Sequence, residues 1–421
     1  MRILILGSGA REHAIARALA ADPDGHEVTV APGNAGIAAL AATAPVDVAD
    51  PAATVVLASR LGAELVVVGP EAPLVAGVGD ALRAQGLAVF GPDRAAARLE
   101  GSKAFAKRIM AAAGVPTGRS VDVLAEDALE AALDATGAPW VVKADGLAAG
   151  KGVLVTPDRE AARAHALEWL ASGPVLLEEF LPGREVSLFF VCDGTAVVPL
   201  TPAQDFKRLR DGDEGPNTGG MGAWSPLPWL AEAFGDERAF VETVRTRIAE
   251  PVVARLAEEG TPFIGLLYCG LVVEGDQVRV IEFNARFGDP ETQVVLPRLT
   301  SGLGGLLHAA AGGTLAEADP PVFDPRTAVG VVLASAGYPG APRTGAALEG
   351  VDEAEAVPGV HVDHAATARS EAGLVSTGGR VLTVVGLGED AAAARAAAYA
   401  GVGRIRLEGG QHRSDIAAED S

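Results

Sequence analysis

Two lysines that flank a glycine-rich stretch are the first residues whose types and spacing could perform chemistry. The apolar run 140–142 predicts a strand that delivers Lys143, and small residues around Gly150 then lead to Lys151 and Gly152. Glycine lets backbone N–H groups approach anionic oxygens closely, so a glycine-rich hairpin between lysines suits a polyphosphate. The spacing is not that of a Walker loop. The stretch is therefore a phosphate cradle of another kind, or only a tight turn.

A carboxylate and an amide two residues apart form a second candidate. Residues 263–273 and 277–283 are predicted to pair as a hairpin. Side chains alternate along a strand, so Glu282 and Asn284 share one face. Two oxygen ligands so spaced suit Mg²⁺, which commonly takes one or two carboxylates plus substrate phosphates. The alternative is a polar strand end. That alternative does not explain why further charged residues, including Arg286, follow directly in the sequence.

The composition indicates that the few lysines are candidates for functional positions. The chain has 34 basic residues, and only five of them are lysines. A chain that otherwise uses arginine is expected to keep lysine where a compact ammonium is needed, although five positions are also compatible with chance. The five are Lys103, Lys107, Lys143, Lys151 and Lys207.

The first hundred residues alternate predicted strands and helices. The strands are expected at 2–6, 27–31, 65–68 and 87–90; each is followed by glycine, and the last three also by proline. A parallel α/β sheet binds ligands at that edge. The first loop resembles a dinucleotide fingerprint but carries Glu12 where the third glycine belongs, which disfavours NAD. A phosphate or small substrate at the helix N-terminus, assisted by Arg11, fits better.

The remainder predicts two further units. Residues 115–192 form a smaller α/β segment, in which the strand 174–181 ends in two acids; this is either a solvated strand end or the base and ribose contact of a nucleotide site. The segment 201–226 is predicted to be a long irregular substrate loop, because a loop of this length is functional or disordered. We place domains at 1–100, 101–325, with a lid at about 115–192, and 326–421.

Charge and composition narrow the classes of partner. A net charge of −21 and a pI near 4.7 argue against nucleic acid, which needs a basic protein surface. Cys192 and Cys269 lie in apolar runs without metal-ligand spacing, and we predict buried reduced thiols. No signal peptide or membrane-length apolar run is evident. We therefore expect a soluble cytoplasmic protein without a membrane partner, and a monomer.

Taken together, these motifs resemble the ATP-grasp ligases, and more narrowly the glycinamide ribonucleotide synthetase family. The resemblance runs from residue 1 to about 416, and the motifs occur in the family's order. The matching stretches are GSGAREHAIA, PGNAG, VVGPEAPLVAG, LEGSKAFAK, KADGLAAGKGV, PNTGGMGA and EFNARFGDPETQ.

The resemblance implies an α/β protein, with α+β in the lid: an ATP-grasp fold between an N-terminal Rossmann-like domain and a small C-terminal α/β domain. It also implies a reaction of de novo purine biosynthesis. The carboxylate of glycine attacks the γ-phosphate of ATP to give glycyl phosphate and ADP. The amine of 5-phosphoribosylamine then displaces phosphate and forms an amide. Such phosphoryl transfer depends on positioning and charge neutralisation.

The family's functional residues carry over as expectations. Lys103 and Lys143 would contact the ATP phosphates, and a metal ion, Mg²⁺ or Mn²⁺, would be held by Glu282 and Asn284. Arg286 would orient the carboxylate of glycine and stabilise the acyl phosphate. The remaining nucleotide contacts would be Gly150, Lys151, Gly152, Glu178, Glu179, Phe180 and Leu181, with Glu185 at the ribose. The remaining substrate contacts would be Gly9, Glu12, Asn34, Asp205 and Asp289.

Two departures and three rival hypotheses remain at this stage. The strand 263–273 lacks the metal-binding acid that many ATP-grasp ligases carry, so water and phosphate or an acid from elsewhere must complete the shell. Ser8 stands where the family often has asparagine. The rivals are another ATP-grasp ligase, a dehydrogenase built on the GSG loop, and a non-catalytic nucleotide-binding scaffold.

Overall fold

The computed structural model describes residues 1–147 and 152–418. Their core divides into two large apolar clusters, one on each side of the N-terminal sheet, and a third, separate cluster in the lid. Within these described residues, no helix has the length and apolar character needed to cross a bilayer.

The N-terminal unit is built on a parallel sheet in the order β3-β2-β1-β4-β5, as the strand predictions required. Every residue of β4 is buried, because helices cover both faces of such a sheet. In chain order the elements are β1 (Arg2–Gly7), α1 (Ala10–Ala20), β2 (Glu27–Pro32), α2 (Ile37–Leu40), β3 (Ala42–Thr43), α3 (Pro51–Leu61), β4 (Leu65–Val68), α4 (Glu71–Ala76), α5 (Val78–Arg83), β5 (Ala88–Phe90) and α6 (Arg94–Gly101).

A lid follows helix α7 (Lys103–Ala113), whose predicted N-cap is confirmed: the hydroxyl of Ser102 accepts from the N–H of Phe105 at 3.2 Å. The lid is an antiparallel sheet in the order β6-β9-β7-β8, packed by two helices over its own apolar cluster. Its elements are β6 (Ser120–Val123), α8 (Leu129–Thr136), β7 (Trp140–Ala144), β8 (Val153–Thr156), α9 (Arg159–Leu170) and β9 (Val175–Glu179).

The body of the middle region is the antiparallel sheet β11-β10-β16-β17. The predicted hairpin is confirmed: β16 and β17 pair from Glu274 and Gln277, and Gly275 in the turn has a φ of 61°. The elements of this region are β10 (Arg184–Asp193), β11 (Val197–Pro199), α10 (Leu230–Phe234), α11 (Glu237–Val244), α12 (Glu250–Glu258), β16 (Ile264–Glu274), β17 (Gln277–Asn284), α13 (Thr292–Val295) and α14 (Leu303–Gly312).

The prediction of an irregular loop at 201–226 is wrong. The segment contains β12 (Gln204–Asp205), β13 (Arg208–Arg210), β14 (Glu214–Asn217) and β15 (Gly222–Ser225). β15 pairs with β18 (Thr327–Ala334), about a hundred residues further along the chain. Such long-range pairing leaves no local alternation to read, so the strand is invisible in a short window. The pairing also joins this segment to the C-terminal sheet, and the domain boundaries stay a prediction.

The C-terminal sheet has the order β12-β15-β18-β23-β20 and is antiparallel. Its alanine-rich helix lies very close to β23, since a Cβ at Gly386 or Gly388 would come within 2.3 Å of the helix backbone. The remaining elements are β19 (Ala347–Glu349), α15 (Val351–Glu355), β20 (Val360–His364), β21 (Thr367–Ser370), β22 (Gly373–Ser376), β23 (Arg380–Gly388), α16 (Ala391–Val402) and β24 (Arg406–Leu407).

A histidine contact joins α1 of the N-terminal unit to β20 of the C-terminal unit. The N–H of His364 donates to Nδ1 of His13 at 2.8 Å, so His13 must be neutral at that nitrogen. Arg17, one turn along α1, donates to Asp363 Oδ1 at 3.2 Å. Burial is the main cause that lowers the pKa of His13 and of His364 to about 4.

This contact predicts a pH dependence of stability. Because the folded pKa lies below the unfolded value of about 6.5, the unfolded chain binds more protons between these values. The contribution of His13 and His364 to the free energy of unfolding should be fully present above about pH 6.5. It should fall by up to about 1.4 kcal/mol per pH unit for each histidine as pH drops towards 4. Thermal unfolding midpoints from pH 7.5 to 4.5 measure the effect.

The variant His13→Asn provides the test, because an amide oxygen can accept the same N–H without titrating. Its unfolding midpoint should depend less steeply on pH than that of the wild type. His308→Asn, at an exposed position on α14, is the matched control and should keep the wild-type slope. An unchanged slope in His13→Asn would refute the assignment.

Candidate active site

Lys143 lies on β7 at the junction of lid and body. The antiparallel register pairs Lys143 with Leu176 of β9, so Glu178, two residues further on, shares its face. Lys143 Nζ donates to Glu178 Oε2 at 3.1 Å and to the carbonyl oxygen of Ile281 on β17 at 3.1 Å. The side chain is buried. Lys143 therefore connects the lid to the strand that carries the predicted metal ligands.

Lys103 begins α7 and faces the same region. Its ammonium donates to the carbonyl oxygen of Gly146 at 3.0 Å, and its backbone N–H donates to Asp145 Oδ1 at 2.6 Å. Burial is the main cause that lowers the pKa of Lys103, whereas the nearby Glu282 raises it. Two lid residues thus hold the start of α7 and its lysine against the end of β7.

The glycine-rich hairpin is described only in part. Gly150 and Lys151 lie outside the described residues. The carbonyl oxygen of Gly152 accepts from the N–H of Ala144 at 2.8 Å, which closes the hairpin at the base of β7 and β8.

Glu282 and Asn284 share one face of β17, as predicted, opposite Gly270 and Tyr268 of β16. Burial is the largest influence on Glu282 and raises its pKa, but four cations outweigh it and the net pKa is lowered. Those cations are Lys207, Lys143, Lys103 and Arg286.

One carboxylate and one amide oxygen are a donor set that suits Mg²⁺. The described residues contain no group of three or more His, Cys, Asp and Glu side chains placed to hold a metal ion. The ligands that would complete the shell, either water and substrate phosphate or an acid from elsewhere, stay a prediction.

A third lysine, Lys207, lies among acidic side chains. It forms ion pairs with Glu185 and, at 4.0 Å, with Asp205 Oδ1. Burial is the main cause that raises the pKa of Asp205 to about 7; Lys207 lowers it, whereas the carboxylates of Glu291, Glu185 and Glu282 raise it further. Sequence reasoning gave weight to Lys207 as a rare lysine but assigned it no role. The structure puts it beside the predicted ribose acid and the predicted substrate acid.

The four residues predicted to contact adenine point in different directions. Glu178 is buried against Lys143, whereas Glu179 is partly exposed and accepts from Arg119 Nε at 3.0 Å. Phe180 is 40% exposed, which leaves its ring accessible for contact with a base. Leu181 lies beside Gly118, where the lid begins. Of the four side chains, the Glu178 carboxylate is the one that contacts lysines at the junction of lid and body.

Arg286 is held by two acids that the sequence did not single out. Its guanidinium lies 3.0 Å from Glu100 Oε1 and 3.5 Å from Glu71 Oε2, and it also donates to Asn284 Oδ1 at 3.4 Å. Burial would lower the pKa of Arg286, but these carboxylates raise it well above its ordinary value. The signal for Glu71 was its place directly after a predicted strand, at the edge where parallel sheets bind ligands.

A cavity of about 380 Å³ opens at the carboxyl ends of β1, β2 and β4, next to Arg286. Of the predicted substrate contacts, Gly9, Glu12 and Asp289 line it; Asn34 and Asp205 do not. Its wall is completed by Gly7, Ser8, Arg11, Pro32, Val46, Asp47, Val48, Pro70 and Glu71. Glu71 therefore connects the cavity to Arg286.

Glu12 explains why this loop departs from a dinucleotide fingerprint. Its buried carboxylate accepts from the N–H of Gly9 and packs on Gly7 and Gly69, where a Cβ would come within 2.6 and 2.1 Å of it. A carboxylate already sits at the helix N-terminus, at the location that a pyrophosphate takes in a dinucleotide site.

Arg11 is the cation of this cavity. It is buried, donates to the carbonyl oxygen of Gly69 at 3.1 Å, and keeps its Nε without a hydrogen-bond partner within the described part of the chain.

Two other predicted substrate residues already have partners within the protein. The Asn34 amide donates to the carbonyl oxygens of Ser8 and His364 at 2.9 and 2.7 Å and accepts from two backbone N–H groups. Asp289 pairs with Arg380 of the C-terminal sheet at 3.0 Å. Asn34 therefore shapes the turn after β2, while Asp289 ties the cavity to the C-terminal unit.

Comparison with known proteins covers the chain from end to end. Sequence models of phosphoribosylglycinamide synthetase match its N domain at residues 1–100, its ATP-grasp (A) domain at 101–292 and its C domain at 328–419. The chain is 62% identical to phosphoribosylamine–glycine ligase of Leifsonia xyli over 99% of this chain and 100% of that protein. It is 58% identical to the ligase of Streptomyces coelicolor, over 100% and 99% of the two chains.

Solved structures agree with these matches. The phosphoribosylamine–glycine ligase of Thermotoga maritima has 34% identity and a TM-score of 0.84, covering 99% of this chain and 100% of that one. A biotin carboxylase domain from Hydrogenobacter thermophilus, at 17% identity, has a TM-score of 0.71 over 98% and 91% of the chains, and shares the fold alone. The predicted family and ATP-grasp fold are confirmed: the chain belongs to the phosphoribosylglycinamide synthetase family, a family of ATP-grasp ligases.

Proposed function

We propose that this protein joins glycine to 5-phosphoribosylamine with the cleavage of ATP, through glycyl phosphate, and releases glycinamide ribonucleotide, ADP and phosphate. The observation that carries the proposal is the convergence of four cations on Glu282, beside a separate cavity for a second substrate. Phosphoryl transfer needs charge neutralisation and alignment, and such an arrangement supplies both.

At the nucleotide end, Lys103 and Lys143 would neutralise phosphate oxygens. Both ammoniums already lie at the junction of lid and body, held by protein oxygens that a phosphate can replace. The segment 178–181 would receive the base, and Glu185 the ribose. A divalent ion, Mg²⁺ or Mn²⁺, would be held by Glu282 and Asn284 and would offset the charge that develops on the transferred phosphoryl group.

Arg286 would orient the carboxylate of glycine. Its geometry is already fixed by Glu100 and Glu71, so little side-chain entropy is lost when a carboxylate binds. Since the guanidinium is always charged, it can also stabilise the acyl phosphate.

The cavity would hold phosphoribosylamine. Arg11, whose Nε has no hydrogen-bond partner within the described part of the chain, provides positive charge for the phosphate. Glu71 and Asp289 line the same cavity and provide acceptors for hydroxyl or amine groups. Because Glu71 also contacts Arg286, the amine could approach the acyl phosphate without leaving the cavity.

We further propose a monomeric enzyme of the cytoplasm. Cys192 and Cys269 are free and buried, which fits a reducing compartment. Size-exclusion chromatography with light scattering measures the oligomeric state, and a stable dimer would contradict this part of the proposal.

The first functional prediction is strict dependence on both substrates. Purified protein with ATP and Mg²⁺ should release ADP and phosphate rapidly only when glycine and phosphoribosylamine are both present. A coupled ADP assay measures this, with each substrate omitted in turn as the control. If bicarbonate or another carboxylic acid supported far faster turnover than glycine, the substrate assignment would be wrong.

The second functional prediction concerns the metal ligands. Glu282→Gln should lower kcat by about a hundredfold or more, because it removes the only carboxylate of the pair and leaves the surrounding cations uncompensated. It should also raise the Mg²⁺ concentration needed for half-maximal rate. Glu274→Gln, an exposed acid of the same hairpin, is the matched control and should retain activity. Full activity of Glu282→Gln at equal Mg²⁺ would contradict the assignment.

A further inference from the structure

Lys107 is the one rare lysine, among those described, that neither the phosphates nor the metal site accounts for. It lies on α7 one turn after Lys103, and its side chain is 11% exposed. Its ammonium donates to Thr117 Oγ1 at 2.9 Å and to the carbonyl oxygen of Gly118 at 3.0 Å, and lies 3.2 Å from Glu178 Oε2.

An ammonium has three N–H donors, and all three of Lys107 face protein oxygens. It therefore has no donor left for a phosphate or a substrate. What it can do is position its partners: Thr117 and Gly118 at the start of the lid, and Glu178 at the end of β9. Thr117 in turn donates to the carbonyl oxygen of Val280 on β17 at 2.7 Å, so the contact connects the lid to the body.

Two lysines share one carboxylate oxygen. Lys143 and Lys107 both approach Oε2 of Glu178, at 3.1 and 3.2 Å. Within the described part of the chain, no hydrogen bond to Oε1 is formed. If Lys143 turns to the ATP phosphates, as the proposed function requires, Lys107 remains as the ammonium beside the buried Glu178 carboxylate.

An ionised carboxylate only accepts hydrogen bonds. Adenine presents an amino donor at position 6, whereas guanine presents a carbonyl oxygen there. A fixed acceptor at that location favours the amino group and opposes the carbonyl, because two acceptors that face each other lose hydrogen bonds to water without replacing them.

We propose that Lys107 is a positioning residue that fixes Glu178 as an acceptor at the base end of the nucleotide site, and so makes the protein select adenine over guanine nucleotides. The proposal rests on the proposed function, in that it takes the base to lie at residues 178–181. It adds a specificity role for a residue that does not touch the nucleotide.

The test compares ATP and GTP in wild type, Lys107→Met and Lys107→Arg. Direct binding by titration calorimetry gives the two Kd values, and the coupled ADP or GDP assay gives kcat/KM for each nucleotide. Wild type should prefer ATP. Lys107→Met keeps the apolar stem without the charge and should reduce that preference by about tenfold to a hundredfold, mainly by weakening ATP. Lys107→Arg should retain most of it.

Glu178→Gln provides an independent variant of nearly the same shape. Its amide can rotate to donate to a guanine carbonyl, so the preference for ATP should fall here as well, and Lys107→Met should add little in the double variant. This keeps the test decisive if Lys107→Met alone does not fold.

The outcomes separate the possible roles. An equal loss for ATP and GTP in Lys107→Met would mean that the residue only stabilises the lid, and would overturn the proposal. So would a wild type that does not prefer ATP. Because calorimetry reads base preference without turnover, a failure of the ligase reaction would overturn the proposed function and leave this measurement valid.

Discussion

The contact of Lys143 with the Glu178 carboxylate and the Ile281 carbonyl is the interaction on which the site depends. A buried ammonium needs partners, and this one finds them on both sides of the junction between lid and body. Removing one partner of such a buried pair typically costs about 3–5 kcal/mol, so this contact holds the lid strands β7 and β9 against β17 of the body. The lid has a separate apolar cluster, and polar contacts of this kind connect it to the strand that carries the predicted metal ligands.

The same balance of charge extends through the site. Glu282 is half-buried: burial raises its pKa, but the cations around it outweigh burial and lower it, and the acids around Arg286 raise the pKa of that guanidinium. Each buried charge is therefore opposed by a neighbour that a substrate or metal ion can replace or join. This preorganises the site for a reaction whose chief requirement is the neutralisation of phosphate charge.

In the N-terminal unit, Glu12 stands where a dinucleotide-binding loop has its third glycine, and this one residue changes what the loop can bind. In a dinucleotide fold the third glycine lets the helix pack closely on the strand, whereas here the Glu12 side chain takes that space and requires glycine at positions 7 and 69. The edge of the sheet still opens into the cavity, with Arg11 as its cation and Glu71 as its connection to Arg286.

Sequence alone determined the features that depend on local pattern: the parallel N-terminal strands, the hairpin that puts Glu282 and Asn284 on one face, and the importance of rare lysines. The alternation of side chains and the residues of the turns encode these features within a few positions, so the features can be predicted without knowing which strands pair. Tertiary structure decided what depends on distant pairing.

β15 pairs with β18, about a hundred residues away in the sequence. Glu71 and Glu100 both contact Arg286. The Asn34 amide donates to backbone carbonyl oxygens. Lys107 is the clearest example. Its type was visible in the sequence, but its role follows only from the fold, which brings Thr117, Gly118 and Glu178 to one ammonium.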